Sequence, residues 1–167
     1  MIGNENKHLL WRILEKARML KIYIDNCCYN RPFDPPSNPM IIFESSAKIL
    51  IQALIINGKV ALAGSYVVYE EILAITNREK RDLILNFLDN AKIYVAKDRH
   101  FEVLALAAEI METGIKYMDA AHVACSIIAG CKYLITTDRR LLKYKSDKIT
   151  LINPVEFIRI WEDKNYD

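Results

Sequence analysis

Four carboxylates stand where this chain passes from one element to the next. Asp25 closes the apolar run Lys21-Ile-Tyr-Ile-Asp25, and Asp138 closes Tyr133-Leu-Ile-Thr-Thr-Asp138. Asp119 opens the small-residue segment Asp119-Ala-Ala-His-Val-Ala-Cys125, and Glu71 lies in the apolar stretch Tyr66-Val-Val-Tyr-Glu-Glu-Ile-Leu73. A desolvated carboxylate either takes up a proton or finds a cation. Four such acids meeting at one edge of a sheet would form an oxygen-rich site for a hard divalent cation, which suits phosphodiester chemistry. Each acid alone also has a plainer role. Asp119 and Asp138 can cap helices, Asp25 can serve a turn, and Glu71 can be a solvated position beside Glu70. Their recurrence at equivalent places in the architecture favours a shared site.

Those places depend on the elements that carry them. Apolar residues at Leu9, Leu10, Ile13 and Leu14 have helical spacing, and Met19 directly precedes the first strand. Residues 1–18 therefore read as an N-terminal helical extension or a misassigned start, and 19–167 as the core domain. A strand is expected over 21–25. Asn30–Pro39 holds four of the five prolines, so an irregular loop is expected there. A helix over 40–57 should stop at Asn57-Gly58. Strands follow at 60–63, 93–95, 133–136 and 149–151. Helices are expected at 66–75, 78–89, 99–113, 119–130 and 139–144, and a last one opens at Pro154. Strands alternating with helices predict a parallel sheet covered on both faces.

A chain of 167 residues that is 52% hydrophobic suggests one domain with a sizeable core. The formal net charge of +2 neither demands nor excludes a nucleic-acid partner, and a local basic patch would matter more than the sum. Cys27, Cys28, Cys125 and Cys131 show no zinc spacing and read as reduced thiols of a cytoplasmic protein. No signal-peptide layout is visible at the start, and no apolar run approaches the roughly 18 residues of a membrane span.

The acid-bearing segments together resemble the PIN-domain ribonucleases, the family that includes the VapC-type toxins of toxin–antitoxin pairs. The matching residues are Ile22-Tyr-Ile-Asp25-Asn26, Ser65-Tyr-Val-Val-Tyr-Glu-Glu71-Ile-Leu, Met118-Asp119-Ala-Ala-His122-Val-Ala and Tyr133-Leu-Ile-Thr-Thr137-Asp138-Arg-Arg-Leu-Leu. They span about residues 19–160. The resemblance implies an α/β PIN-like fold, a parallel sheet sandwiched between helices in three layers. It implies that Asp25, Glu71, Asp119 and Asp138 bind Mg²⁺ or Mn²⁺ and are catalytic. Asn26 and Thr137 would orient carboxylates or water, and His122 would pack beside the site. Glu70 stays an alternative to Glu71, although the spacing from Ser65 favours Glu71.

Arg31, Arg139 and Arg140 would contact RNA, with Lys116, Lys143 and Lys145 on the same rim and Tyr29 and Phe33 available for base stacking. The implied activity is metal-dependent endoribonuclease cleavage of single-stranded RNA, with a small antitoxin and a second copy as implied partners and no membrane. The competing reading is a PIN-like RNA-binding or scaffold domain with little or no catalysis. A phosphotransferase or receiver domain ranks lower, because Asp25-Asn-Cys-Cys28 lacks a second acid after the first strand. No P-loop or GxGxxG occurs.

Overall fold

A computed structural model describes residues 19–165. The expected helix over 7–18 lies outside the described residues. Five strands form one parallel sheet: β1 (Leu20–Ile24), β2 (Val60–Ser65), β3 (Ile93–Val95), β4 (Tyr133–Ile135) and β5 (Thr150–Ile152), in the order β3-β2-β1-β4-β5. The chain starts at the centre, steps outward to β3, then returns to the other side of β1. Connections between parallel strands are right-handed. Helices α2 (Pro39–Ile56) and α4 (Arg78–Leu88) therefore cover one face, and α5 (His100–Met111) and α6 (Tyr117–Ile128) cover the other. The C-terminal helix α7 (Pro154–Asn165) packs against α2. This is the expected three-layer α/β/α architecture.

The core explains the apolar runs. Ile22, Tyr23, Ile24, Leu62, Leu134 and Ile135 are almost completely buried, as both-sided burial of central parallel strands requires. Gly64 is a packing requirement. A Cβ there would lie 3.2 Å from Tyr94 and 3.3 Å from Leu88.

Helix α2 buries Ala47, Ile51 and Ile55 and leaves Ile42, Phe43, Ile49, Leu50 and Ile56 exposed. Among the described residues it is the one helix whose length and composition would suffice to cross a membrane, with 18 residues and a mean hydropathy of 1.6. The sequence reading found no such run because Glu44 and Lys48 interrupt it. Both are buried against protein. Glu44 pairs with Arg31 at 2.9 Å and accepts from Asn153 at 2.8 Å. The Lys48 ammonium sits 5.6 Å from the Tyr29 ring and 5.4 Å from the Phe87 ring. Burial holds it down to about 8.

Three local expectations change. The segment after Asp25 is not all irregular: a short helix α1 (Asn26–Asn30) and a 3₁₀ turn (Arg31–Phe33) precede the prolines that forbid more. The basic helix expected over 139–144 is a single 3₁₀ turn, Leu141–Lys143, because β5 pairs directly with β4 and the chain has little distance to cover. Helix α6 opens at Tyr117, so Asp119 sits within its first turn rather than at its cap.

Candidate active site

The strand order reverses between β1 and β4, and ligands of open α/β sheets bind beyond the carboxyl ends of strands at such a point. Asp25 follows β1 there and donates its backbone N–H to Ile135 O at 3.0 Å, while Asp138 ends the segment leaving β4. Two loops that begin side by side thus carry the first and last acids to one edge.

Asp25 is buried, and its carboxylate is anchored on one oxygen. Oδ2 accepts from Thr136 Oγ1 at 2.8 Å and from Cys27 Sγ at 3.0 Å. The same Thr136 hydroxyl accepts the Asp138 N–H at 3.1 Å, so one side chain links the two acid-bearing loops. Oδ1 faces His122 Nε2 at 3.8 Å.

Glu71 arrives on α3 (Tyr66–Leu73). Ser65 caps this helix by accepting from Val68 N at 3.2 Å. A Glu71 oxygen meets His122 Nε2 at 2.5 Å. Glu70, one residue earlier, points elsewhere and pairs with Lys97 at 2.8 Å in solvent. Successive side chains on a helix diverge by about 100°, and this divergence gives the two glutamates different partners. The His122 ring is fully enclosed, with Nδ1 3.0 Å from Tyr23 Oη, which in turn lies 2.6 Å from Ser65 Oγ. Burial works to lower the basicity of His122. The bond to Glu71 and the nearby Asp25 charge outweigh it, and the net shift is upward.

Asp119 and Asp138 line one cleft of about 420 Å³ with Gly114, Ile115, Lys116, Arg140 and Leu141. The Asp119 carboxyl is raised, first by burial and then by the Asp25 and Asp138 charges. One oxygen of Asp138 accepts from Arg140 N at 2.7 Å and Leu141 N at 3.3 Å, holding the basic turn.

The acids are thus neighbours in two linked pairs, Glu71 with Asp25 through His122 and Asp119 with Asp138 across the cleft. Among the described residues, however, no three His, Cys, Asp or Glu side chains are spaced to close around one ion. The Asp25 and Asp138 charges that raise the Asp119 carboxyl are the kind of repulsion a hard divalent cation would relieve.

Of the other residues singled out from the sequence, His122 packs between Glu71 and Tyr23. Thr137 is buried with its hydroxyl unpartnered, and its N–H donates to Cys27 Sγ at 3.3 Å. Asn26 accepts from Asn30 and touches none of the four acids through a hydrogen bond. Arg139 and Arg140 are exposed beside Asp138, whereas Arg31 is engaged by Asp34 and Glu44, each at 2.9 Å. Tyr29 is buried and Phe33 lies beneath the Lys80 ammonium. The sequence reading passed over Thr136, Cys27 and Tyr23. The strand register was the missing signal for Thr136, since Ile24 pairs with Ile135 and the next residues on each chain are Asp25 and Thr136.

Comparison with known proteins agrees with this fold. The PIN domain model matches residues 40–146, a span that includes Glu71, Asp119 and Asp138 and begins beyond Asp25. The chain belongs to the PIN domain family, a family of metal-using nucleases. Among solved structures, VapBC2 from Rickettsia felis bound to a DNA fragment from their promoter is similar in fold. It has 17% identity and a TM-score of 0.50, and the match covers 80% of this chain and 98% of that one. No curated protein sequence matches significantly.

Proposed function

We propose that this protein is a metal-dependent endoribonuclease that hydrolyses phosphodiester bonds of single-stranded RNA at the carboxyl edge of its sheet. The observation that carries this reading is the Asp119–Asp138 cleft, whose Asp119 carboxyl is raised by burial and by the Asp25 and Asp138 charges and whose rim bears Lys116 and Arg140. Asp25, Glu71, Asp119 and Asp138 would hold Mg²⁺ or Mn²⁺. That ion would supply activation of water and neutralisation of charge developing on the phosphate.

The remaining work falls to the chain. Thr136 and Cys27 fix one oxygen of Asp25 and leave the other turned to the site. His122 holds Glu71, and Arg139 and Arg140 meet the phosphate backbone. Single strands fit better than duplexes, because an A-form helix withholds its bases and does not bend into a compact cleft.

Purified protein and its Asp119→Asn variant, incubated with a panel of unrelated RNAs, test the reading. Cleavage should require Mg²⁺ or Mn²⁺, stop with EDTA and be lost in the variant. Equal cleavage by both proteins would mean a contaminant. A toxin role, with a small antitoxin as partner and a homodimeric state, belongs to the same proposal. Co-expression with the product of the adjacent reading frame, followed by sizing, tests it.

A second reading, an RNA-binding or scaffold domain with little catalysis, draws support from the incomplete closure of the acids around any one point. Metal-dependent RNA binding without cleavage would favour it.

A further inference from the structure

Every strand of the sheet is entered through a lysine. Lys21 is the second residue of β1, Lys59, Lys92 and Lys132 immediately precede β2, β3 and β4, and Lys148 stands two residues before β5. Strand register brings them within about 10 Å of one another in height, at about 3.3 Å per residue. Leu20 pairs with Val60 and Lys21 with Ala61, which sets Lys59 two residues below Lys21. Ile22 pairs with both Leu62 and Tyr133, and Lys92 N donates to Leu62 O, so Lys92 and Lys132 flank the same height. Tyr133 pairs with Thr150, which places Lys148 level with Cys131. With strands about 4.8 Å apart, the row Lys92–Lys59–Lys21–Lys132–Lys148 crosses the sheet over roughly 19 Å.

None of the five enters an ion pair among the described residues. Two serve helix ends. The Lys92 ammonium lies 3.9 Å from where a Cβ of Gly58 would sit, and Lys21 lies equally close to Gly130. Both glycines follow helix C-termini at positive φ, 67° and 69°, where the helix dipole attracts cations. Because α2 and α6 cover opposite faces, Lys92 and Lys21 lean apart. Lys59, Lys132 and Lys148 are exposed; the Lys132 ammonium lies 5.6 Å from the Tyr133 ring, and Lys148 lines a cleft with Glu109 and Asp147. Asp89 and Asp147 are the acids in the same loops and offset part of the charge. The candidate catalytic acids all gather at the other edge. The chain's formal charge of +2 therefore says little of this local basic row.

We propose that this amino edge is a second nucleic-acid contact, a track for the backbone of single-stranded RNA on the side opposite the candidate catalytic carboxylates. A line of flexible cations at strand spacing suits a flexible polyanion, which adjusts its phosphates to the row without any base being read. The inference takes from the proposed function only the identity of the polyanion as RNA. A long RNA anchored at the amino edge raises the concentration of its other segments at the acids, while a short one occupies a single edge.

Binding of a fluorescent single-stranded RNA, measured by anisotropy in EDTA so that no metal draws it to the acids, tests the track. The full chain is compared with Lys59→Ala/Lys132→Ala/Lys148→Ala and with Arg78→Ala/Lys97→Ala/Lys164→Ala, which loses equal charge at exposed positions elsewhere. The first variant should bind at least tenfold more weakly. Its dependence of log affinity on log salt should be shallower by about 2, at about 0.7 per lost phosphate contact on a single strand. The second should stay within about threefold of the unaltered protein. Equal weakening by both variants, or no RNA binding by the unaltered protein, overturns the track. So does binding to phosphatidylserine vesicles but not to RNA. Because the readout needs neither metal nor cleavage, an inactive protein that shows the shift would sink the nuclease reading and leave the track standing.

Discussion

Tyr23 and His122, ninety-nine positions apart, meet at 3.0 Å between Oη and Nδ1 in the middle of the core. From there the polar chain continues to Ser65 on one side and to Glu71 on the other. Ser65 also caps the helix that bears Glu71, so the backbone and the side chain of this acid are held through one connected set of bonds. If His122 donates from Nε2 to Glu71 and is neutral, Nδ1 must accept from Tyr23, which then accepts from Ser65. If the ring is protonated, both directions reverse. Either way every member is satisfied, as a buried network must be.

Tyr23→Phe keeps the ring packing and removes the central hydroxyl. Ser65 and His122 each lose a partner, and stability should fall by about 1–3 kcal/mol. With Glu71 less firmly held, Mn²⁺ affinity should fall as well. Calorimetric titration of folded variant with Mn²⁺ checks this. Unchanged affinity would reduce the network to a purely structural role.

Glu71→Gln should abolish cleavage, whereas Glu70→Gln should cost little, since Glu70 only joins a solvent-exposed pair with Lys97. A side-by-side nuclease assay with Mn²⁺ decides the matter. A larger loss from the Glu70 change would exchange their roles.

Lys48 predicts an alkaline gain in stability. In the unfolded chain it titrates near 10.5 and in the folded protein near 8. Below about 8 the lysine is charged in both states, and the folded protein bears the full cost of burying it. Between those values the unfolded chain binds more protons at this residue, so the Lys48 contribution rises with pH. It does so against the falling contribution of the buried Cys28, Cys125 and Cys131 thiols, and the difference between the two proteins isolates it. The full gain is at most about 3 kcal/mol, at about 1.4 per unit, and the flanking rings reduce it. Lys48→Met should be more stable at neutral pH and should lose this rise. Urea melts of both proteins from pH 7 to 10.5 provide the comparison.

Residues 19–167 should fold cooperatively without the extension, because the five strands and their helices are complete within them. Expression of this fragment and its thermal melt test the point. Aggregation would show instead that the Leu9/Leu10/Ile13/Leu14 face covers apolar surface, for which the exposed Ile42, Phe43, Ile49 and Leu50 of α2 are candidates.

Much of this was legible in the residues. Buried parallel strands read as continuous apolar runs, and the glycines at 58, 114 and 130 mark helix ends by their positive φ. The edge that Asp25 and Asp138 share followed from strand polarity alone. Hydrogen-bond partners were less visible. Thr136 and Thr137 are chemically identical neighbours, and only the register of β1 on β4, with Ile24 beside Ile135, determines which one reaches Asp25. The lysine row could not be seen as a cluster, because its members are far apart in sequence and register alone aligns them. Arg31 looked like a free cation because Glu44, its partner, lies on a helix whose apolar pattern hid it.

The central place of β1 has a consequence for synthesis. β1 pairs with β4 through Ile22 and Tyr133, and the loop bearing Asp25 is fixed by Thr136. A ribosome must therefore deliver nearly the whole chain before the first and last acids can be neighbours. A nascent chain halted before residue 133 would have its β1–β2 half but no assembled cleft. The cleft would thus assemble only as synthesis of the chain nears its end.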